Sequence, residues 1–426
     1  MDKPKLRWPL RVTTVPVSSL NNTEGFLIQC PNEIASPIVV PVGLKPVLTL
    51  CDGNLTTDQI IERLGLVGEE EKFVRGFINL LDESLLLDNA RFRISQNDVY
   101  ADYRSLADRV PFLSGKAYPQ EKESLRVYIQ GLLREGSSNL TNIAPREHLS
   151  VIVSPHLDYH RGGRCYGAIF SQLEGVRQTF KEASPIVVLI GTSHQYSEGL
   201  FHLSTKNFLN PIKNFTCERG FVADLIRAAK ALGAPEESLL KEEIVHRSEH
   251  SLELQLPFLA ETLPQVTIVP ILVGSFHSFV DSTRRINEDY EYNCFVAAFV
   301  QTYQTWSLQG RTIILLAGVD MAHVGAQFGD SFALTDEFMA QVESKDTQYL
   351  NLVCNHDTKG LFEHIAVDGD ARRICGFPTL YTILDIFDRL RKPLNGRVIQ
   401  YHQTVNYERT CGVTCAGAML FSTGWE

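Results

Sequence analysis

Four apolar, β-branched runs stand out along the chain: HLSVIVSPH, SPIVVLIGTSH, QVTIVPILVG and RTIILLAGVDMAH. Runs that are apolar throughout and polar only at the exit predict buried strands of a parallel sheet. Three of them deliver chemistry just past their last apolar residue: His156, His194 and the pair Asp320/His323. Ligands of open α/β sheets bind at the carboxyl ends of strands, so the pattern predicts a buried reactive site there. Helical patterns such as FVADLIRAAKAL and SLELQLPFLAETL lie between the apolar runs. This alternation of strand and helix predicts one large α/β domain over residues 106–426.

Residues 1–105 read differently. They contain no histidine and only two cysteines, Cys30 and Cys51. The stretch PVGLKPVLTLCDGNLTTDQIIERLG predicts helix, turn, helix, with Asp52-Gly53 at the turn and Thr56 or Thr57 capping the second helix. EEEKFVRGFINLLDESLLL predicts a further helix, with Phe73, Phe77, Leu80 and Leu81 at helical spacing. LLLDNARFRI then reads as a small hairpin, which completes a winged-helix pattern. Glu62, Glu69, Glu70, Glu71 and Asp82 make DNA a poor partner for it. Residues from about 98 to 120 read as a joint, after which KESLRVYIQGLLRE enters an amphipathic helix. No internal repeat or low-complexity segment interrupts the chain.

With 426 residues and 44% apolar content, the chain is long enough for two domains. Its net charge of -10 and the lack of any basic run exclude a nucleic-acid footprint and point to solubility. MDKPKLRWPLRV has no continuous apolar segment of the signal-peptide kind, and no apolar stretch reaches the ~18 residues that span a bilayer. The expectation is a cytoplasmic protein with no membrane partner. Nine scattered cysteines without a CxxC then read mostly as buried free thiols. Cys411 and Cys415 read as packing residues of a late strand, TCGVTCAGAMLF.

Five segments carry candidate chemistry. In SPHLDYHRGG, His156 at the strand end reads as functional and His160 as an ordinary surface histidine. Gly162 and Gly163 allow a close backbone approach. In GTSHQ, His194 follows a glycine-bounded strand exit, where a core histidine is an equally good reading. In EHSLELQLPF, Ser248 and Ser251 are candidate caps. A helix N-terminus there would lower the proton affinity of His250, and Glu253 and Gln255 read as solvated or supporting groups. In VDMAHVG, a helical turn would put Asp320 and His323 on one face, the carboxylate ligating a metal or orienting the imidazole. In RRICGFPTLYT, Cys375 stands before a helix with Arg372 and Arg373 nearby, which predicts a depressed thiol pKa.

SPHLDYHRGG, GTSHQ, EHSLELQLPFL, DMAHVG and RRICG together resemble the Memo family, also called the AmmeMemoRadiSam system protein B. The resemblance runs from PFLSGKAYP to GVTCAGAML, nearly all of residues 110–426. LTLCDGNLTTDQIIERL followed by FINLLDESLLL resembles a PqqD-like peptide-recognition domain over residues 1–105. Memo proteins resemble the class III extradiol dioxygenases in fold, with a cysteine in place of the metal-binding carboxylate. Carried over, the resemblance implies a metal triad of His156, His194 and Cys375. It implies an acid/base role for His323, a substrate- or oxygen-facing role for His250 and a supporting role for Asp320. A thiolate is softer than a carboxylate, so copper(I) or zinc competes with iron(II) for such a site. Leu157 stands where the family usually has a small residue, so the pocket wall is expected to differ.

The resemblance implies a metal-dependent redox enzyme acting with radical-SAM and AMMECR-type partners on a peptide bound by residues 1–105. Two other readings stay open. One is a peptide-binding or scaffolding module without catalysis. The other is a metal-free enzyme in which Cys375 attacks and His156 or His323 is the base.

Overall fold

The computed structural model describes residues 3–7, 10–17, 23–30, 34–137, 147–173, 175, 184–235, 238–408 and 410–423. The chain divides into two compact units, Met1–Leu106 and Ala107–Glu426.

The first unit opens with an antiparallel sheet of order β1-β2-β3, formed by β1 (Arg11–Val17), β2 (Thr23–Gln29) and β3 (Ile38–Pro41). Four helices follow: α1 (Lys45–Leu50), α2 (Thr57–Leu64), α3 (Glu69–Glu83) and α4 (Ala90–Ser105). Thr56 caps α2 in a reciprocal capping box with Gln59. Gly53 takes the expected turn with φ 87°. Helix α3 buries Val74, Phe77, Ile78 and Leu81, while Phe73 and Leu80 of the expected stripe are exposed.

The hairpin expected over LLLDNARFRI does not form. Asn89 accepts the backbone N–H of Phe92 and starts α4. A side chain that satisfies an orphan N–H favours the helix start over a turn. Phe92 is buried and Ile94 is 63% exposed, so the Arg-Phe-Arg-Ile alternation has no face to pair with. The strands of this unit precede its helices, and among the described residues no hairpin follows α3. The expected joint is helical as far as Ser105.

The second unit is built on an eight-stranded sheet. Its strands are β5 (Glu147–Ser154), β6 (Ile186–Thr192), β7 (Phe201–Leu203), β9 (Thr267–Val273), β10 (Ile313–Gly318), β11 (His323–Val324), β12 (Leu394–Asn406) and β13 (Cys411–Thr423). Two short strands outside it, β4 (Asp108–Arg109) and β8 (Asn207–Phe208), pair with each other. The order is β11-β13-β5-β10-β6-β9-β7, with β12 on β13. The four apolar runs form the parallel centre β5-β10-β6-β9. β7, β11, β12 and β13 pair antiparallel.

Both faces of this centre are covered, which is why its strands are predominantly apolar. Val151, Val153, Val188 and Ile190 pack with Phe221, Leu225, Phe295, Phe299 and Ile383 on one side. Ile152, Val187, Leu189 and Leu316 pack with Leu125, Tyr166, Phe170 and Phe258 on the other. Each such fully buried side chain contributes about 1.5–3 kcal/mol.

Strand β10 lies between β5 and β6, although it follows both in the chain. The carboxyl ends of the strands leading to His156, Asp320 and His194 are therefore adjacent. Helices α5 (Lys122–Gly136) and α6 (Tyr159–Ser171) cover one face. A Cβ on Gly167 would lie 2.1 Å from the Leu132 carbonyl oxygen, and one on Gly163 2.9 Å from the Leu132 side chain. The close approach allowed by the glycines of α6 is thus to α5. His160 is exposed on α6, as expected.

Candidate metal centre

His156 stands two residues past the end of β5, and its ring is buried. Its backbone N–H donates to Asp320 Oδ1 at 2.9 Å. Its Nδ1 lies 2.9 Å from the Gly318 carbonyl oxygen, an acceptor only, so Nδ1 carries the proton and Nε2 keeps its lone pair. Burial, then the neighbouring His194 and His250, hold its pKa well below the ordinary value. The ring is therefore neutral, the form that binds metal.

His194 stands two residues past the end of β6, and His250 comes from the segment before the short helix Glu253–Gln255. One buried carboxylate holds both. Glu249 Oε2 accepts the His194 N–H at 2.7 Å, and Oε1 lies 3.0 Å from His194 Nδ1. Oε1 also accepts the His250 N–H at 2.8 Å and lies 3.2 Å from His250 Nδ1. Burial alone would raise the Glu249 pKa, but the two imidazoles hold it well below the carboxylate range. With each Nδ1 engaged, the three Nε2 atoms are left as donors. Ligand atoms of His156, His194 and His250 lie within 4.8 Å of one another. Ring centroids are 4.5 to 5.1 Å apart.

Glycines give this segment its place. A Cβ on Gly318, at the end of β10, would meet the Ser251 carbonyl oxygen at 2.1 Å, and one on Gly191 would meet Ser251 Oγ at 2.6 Å. The bare ends of β6 and β10 thus let the 249–251 segment cross them. Cys375 closes the site from another side. Its Sγ is 3.3 Å from His156 Nε2, and its carbonyl accepts Thr192 Oγ1 at 2.8 Å. A cleft of about 280 Å³ opens beside His194 and Cys375, lined also by Ser275, Phe276, Arg373 and Phe377.

The Memo-like protein family matches residues 109–419 of this sequence. The chain belongs to the Memo-like family. A MEMO1 family protein of Aquifex aeolicus is 24% identical over 405 residues, covering 93% of this chain and 96% of the relative. That alignment is longer than the second unit and therefore runs into the first. A MEMO1 family protein of Archaeoglobus fulgidus is 29% identical over 257 residues, covering 60% of this chain and 79% of its own. A solved structure of an uncharacterised Escherichia coli K12 protein superposes with a TM-score of 0.35 at 14% identity, over 64% of this chain and 99% of its own, too weakly to bear on the fold.

The Memo-like chain gathers His156, His194, His250, Cys375 and Asp320, drawn from separate segments. It also departs from several expectations. Asp320 and His323 do not share a helical turn, because His323 opens strand β11 opposite Val413 of β13. Asp320 turns to His156, with Oδ2 3.6 Å from Nε2, and burial pushes its pKa up to about 6. His323 Nδ1 lies 3.0 Å from the Met321 carbonyl oxygen and 3.2 Å from that of Arg373, and burial pushes its pKa down to about 4.

The Cys375 thiol is raised well above its ordinary value, not depressed. Burial and the charge of Asp320 raise it, while Arg372 turns to Asp346 and Arg373 to Asp330. His250 is raised, not lowered. Burial lowers it, but its hydrogen bond and charge contact with Glu249 outweigh that. Ser251 Oγ donates to the Thr192 carbonyl instead of capping the helix Glu253–Gln255. Glu253 and Gln255 are buried, Glu253 in an ion pair with Arg109. Leu157 is buried among Cys165, Val413 and Cys415. Among the described residues, no helix is long and apolar enough to cross a membrane.

Proposed function

We propose that this chain is a metal-dependent redox protein whose ion is held by His156, His194 and His250, with the Cys375 sulfur as an adjoining donor. The convergence of three imidazoles within 4.8 Å, each with its Nδ1 anchored, carries this reading. Ligands sharing one tetrahedral ion at ~2.1–2.3 Å stand roughly 3.4–3.7 Å apart, and the 3.3 Å from Cys375 Sγ to His156 Nε2 falls just short of that. Nitrogen and sulfur donors suit copper(I), zinc or iron(II). A bound iron or copper would supply one-electron exchange and a Lewis-acidic position.

The chain's own residues supply the rest. Glu249 orients two imidazoles, and Gly318 fixes the third. Asp320, with its pKa near 6, takes or gives a proton close to neutral pH. His323 is neutral there and offers Nε2 as a hydrogen-bond acceptor. The 280 Å³ cleft admits a small group or one side chain of a larger substrate. The raised Cys375 thiol favours ligation over metal-free attack, because a cation at the sulfur would offset its burial.

Radical-SAM and AMMECR-type proteins are the proposed partners, and a peptide held by the first unit the proposed substrate. Support for the peptide comes from β1 and β3, the two edges of a three-stranded sheet, to which an extended segment can add.

Elemental analysis after anaerobic, reducing purification tests the metal. About one ion per chain is expected, absent from the His156→Ala/His194→Ala double variant and depleted in His250→Ala. Retention in His250→Ala with loss in Cys375→Ala would instead make the triad His156, His194 and Cys375. A wild-type protein free of stoichiometric metal would overturn the reading.

A further inference from the structure

We propose that Cys165 and Cys415 are a redox-active dithiol, which a peroxide closes into a disulfide beside the loop that carries His156. Cys165 lies on α6 and Cys415 on β13, 250 positions apart in the chain, and both are fully buried. Their sulfurs are 3.7 Å apart. Cys165 Sγ also lies 3.8 Å from the Cys415 carbonyl oxygen.

The backbones are close because β13 has a glycine two residues further on. A Cβ on Gly417 would lie 3.1 Å from the Ile169 Cβ and 3.4 Å from the Cys165 carbonyl oxygen. Closing the sulfurs to a bonded ~2.05 Å asks each to move by less than about 1 Å, within reach of a side-chain rotation.

The surroundings give the pair a consequence. It shares its apolar cluster with Leu157, the residue after His156, and with Val413, the strand partner of His323. Phe328 of the same cluster sets its ring against that of His323, with centroids 5.2 Å apart. A Cys165–Cys415 bond would tie the helix that follows His156 to the strand that registers His323.

The chemistry balances with hydrogen peroxide as the two-electron oxidant. One thiol attacks the O–O bond, which breaks to give a sulfenic acid and one water. The second thiol attacks that sulfur, the S–S bond forms, and the hydroxyl leaves as a second water. The two sulfurs lose two electrons and the peroxide gains them. Full burial of both thiols excludes bulky oxidants.

The test is peptide mapping of the reduced full-length protein, which needs no metal. The native protein is exposed to excess hydrogen peroxide, quenched, denatured, alkylated and digested. The expected result is a joined pair of peptides containing Cys165 and Cys415, the two thiols disappearing together and returning with dithiothreitol. In Cys165→Ala, Cys415 is expected to accumulate as a sulfenic acid that dimedone traps. Full alkylation of both thiols after peroxide, pairing of either with another cysteine, or separate conversion to sulfinic acids would overturn the proposal. Because the mapping reads covalent linkage alone, its failure would leave the metal reading standing, and loss of metal binding would leave the dithiol standing.

Discussion

Glu249 decides the geometry of the centre at the scale of single residues. One buried carboxylate receives the backbone N–H groups of His194, His250 and Ser251 and faces two imidazole Nδ1 atoms. Groups that orient metal-binding imidazoles typically contribute 10–100-fold in metal affinity. Glu249→Gln keeps the shape but removes the charge and turns one acceptor into a donor. It should weaken cobalt(II) or zinc(II) binding by about 10–100-fold in a competition titration, with the fold intact by circular dichroism. Unchanged affinity would remove Glu249 from the site. In the sequence this segment stands out through His250 and the candidate caps Ser248 and Ser251, not through Glu249. The available signal was an acid directly before a histidine. Its second partner, His194, lies 55 positions away, and only the sheet order brings it there.

Elements bring these residues together, and one ion pair locks the longest reach. Arg109 pairs with Glu253 while donating to the carbonyls of His246, at 3.0 Å, and Glu249, at 2.8 Å. Glu253 accepts the N–H groups of Phe112 and Leu113 and the Tyr118 hydroxyl. The loop after β4 is thereby fastened to the segment bearing Glu249 and His250. Both side chains are fully buried, so removing Arg109 leaves the Glu253 charge buried without its counter-charge, a loss of about 3–5 kcal/mol. Arg109→Ala should lower the stability read by urea denaturation by that amount and weaken metal binding as well. Arg109→Met/Glu253→Met should recover only the part of the loss that comes from the unpaired charge, because the groups that Arg109 and Glu253 hydrogen-bond also lose their partners. A loss under about 1 kcal/mol in Arg109→Ala would mean that the pair is not buried in solution.

The elements were legible in proportion to how far local pattern decided them. The central strands were read because a parallel strand covered on both faces must be apolar throughout. The helix expected after Cys375 forms over Phe377–Arg389, with Pro378 in its first turn. β1 and β2, and the helix at Ala90, were not, because their burial depends on residues distant in the chain. The Cys375 pKa was misjudged for a similar reason. Two arginines next to it in sequence point at Asp346 and Asp330 in space, while Asp320, 55 positions away, supplies the nearby charge.

Taken as a whole, the second unit carries buried titratable groups whose pH dependences oppose each other. His246 is buried and its pKa is pushed down to about 3, and His202 to about 4, in both cases by burial. In the unfolded chain such groups titrate near 6.5. Their contribution to stability is therefore full above about 6.5 and is lost as pH falls through the folded values, at about 1.4 kcal/mol per pH unit for each group. Asp320 runs the other way. Its folded pKa of about 6 lies above the unfolded 3.8, so its contribution is full below 3.8 and is lost as pH rises through 6. Between pH 4 and 6 the two kinds of group partly cancel, and the wild-type curve alone identifies neither. His246→Gln separates them. Its side-chain N–H can still reach the His202 carbonyl oxygen, which His246 Nε2 meets at 3.1 Å, but it cannot titrate. Urea denaturation from pH 7 to pH 4 should show the variant losing stability less steeply than the wild type, the two slopes differing by about one proton. Parallel curves would mean that His246 takes up its proton in the folded protein, and that the interior around it admits charge.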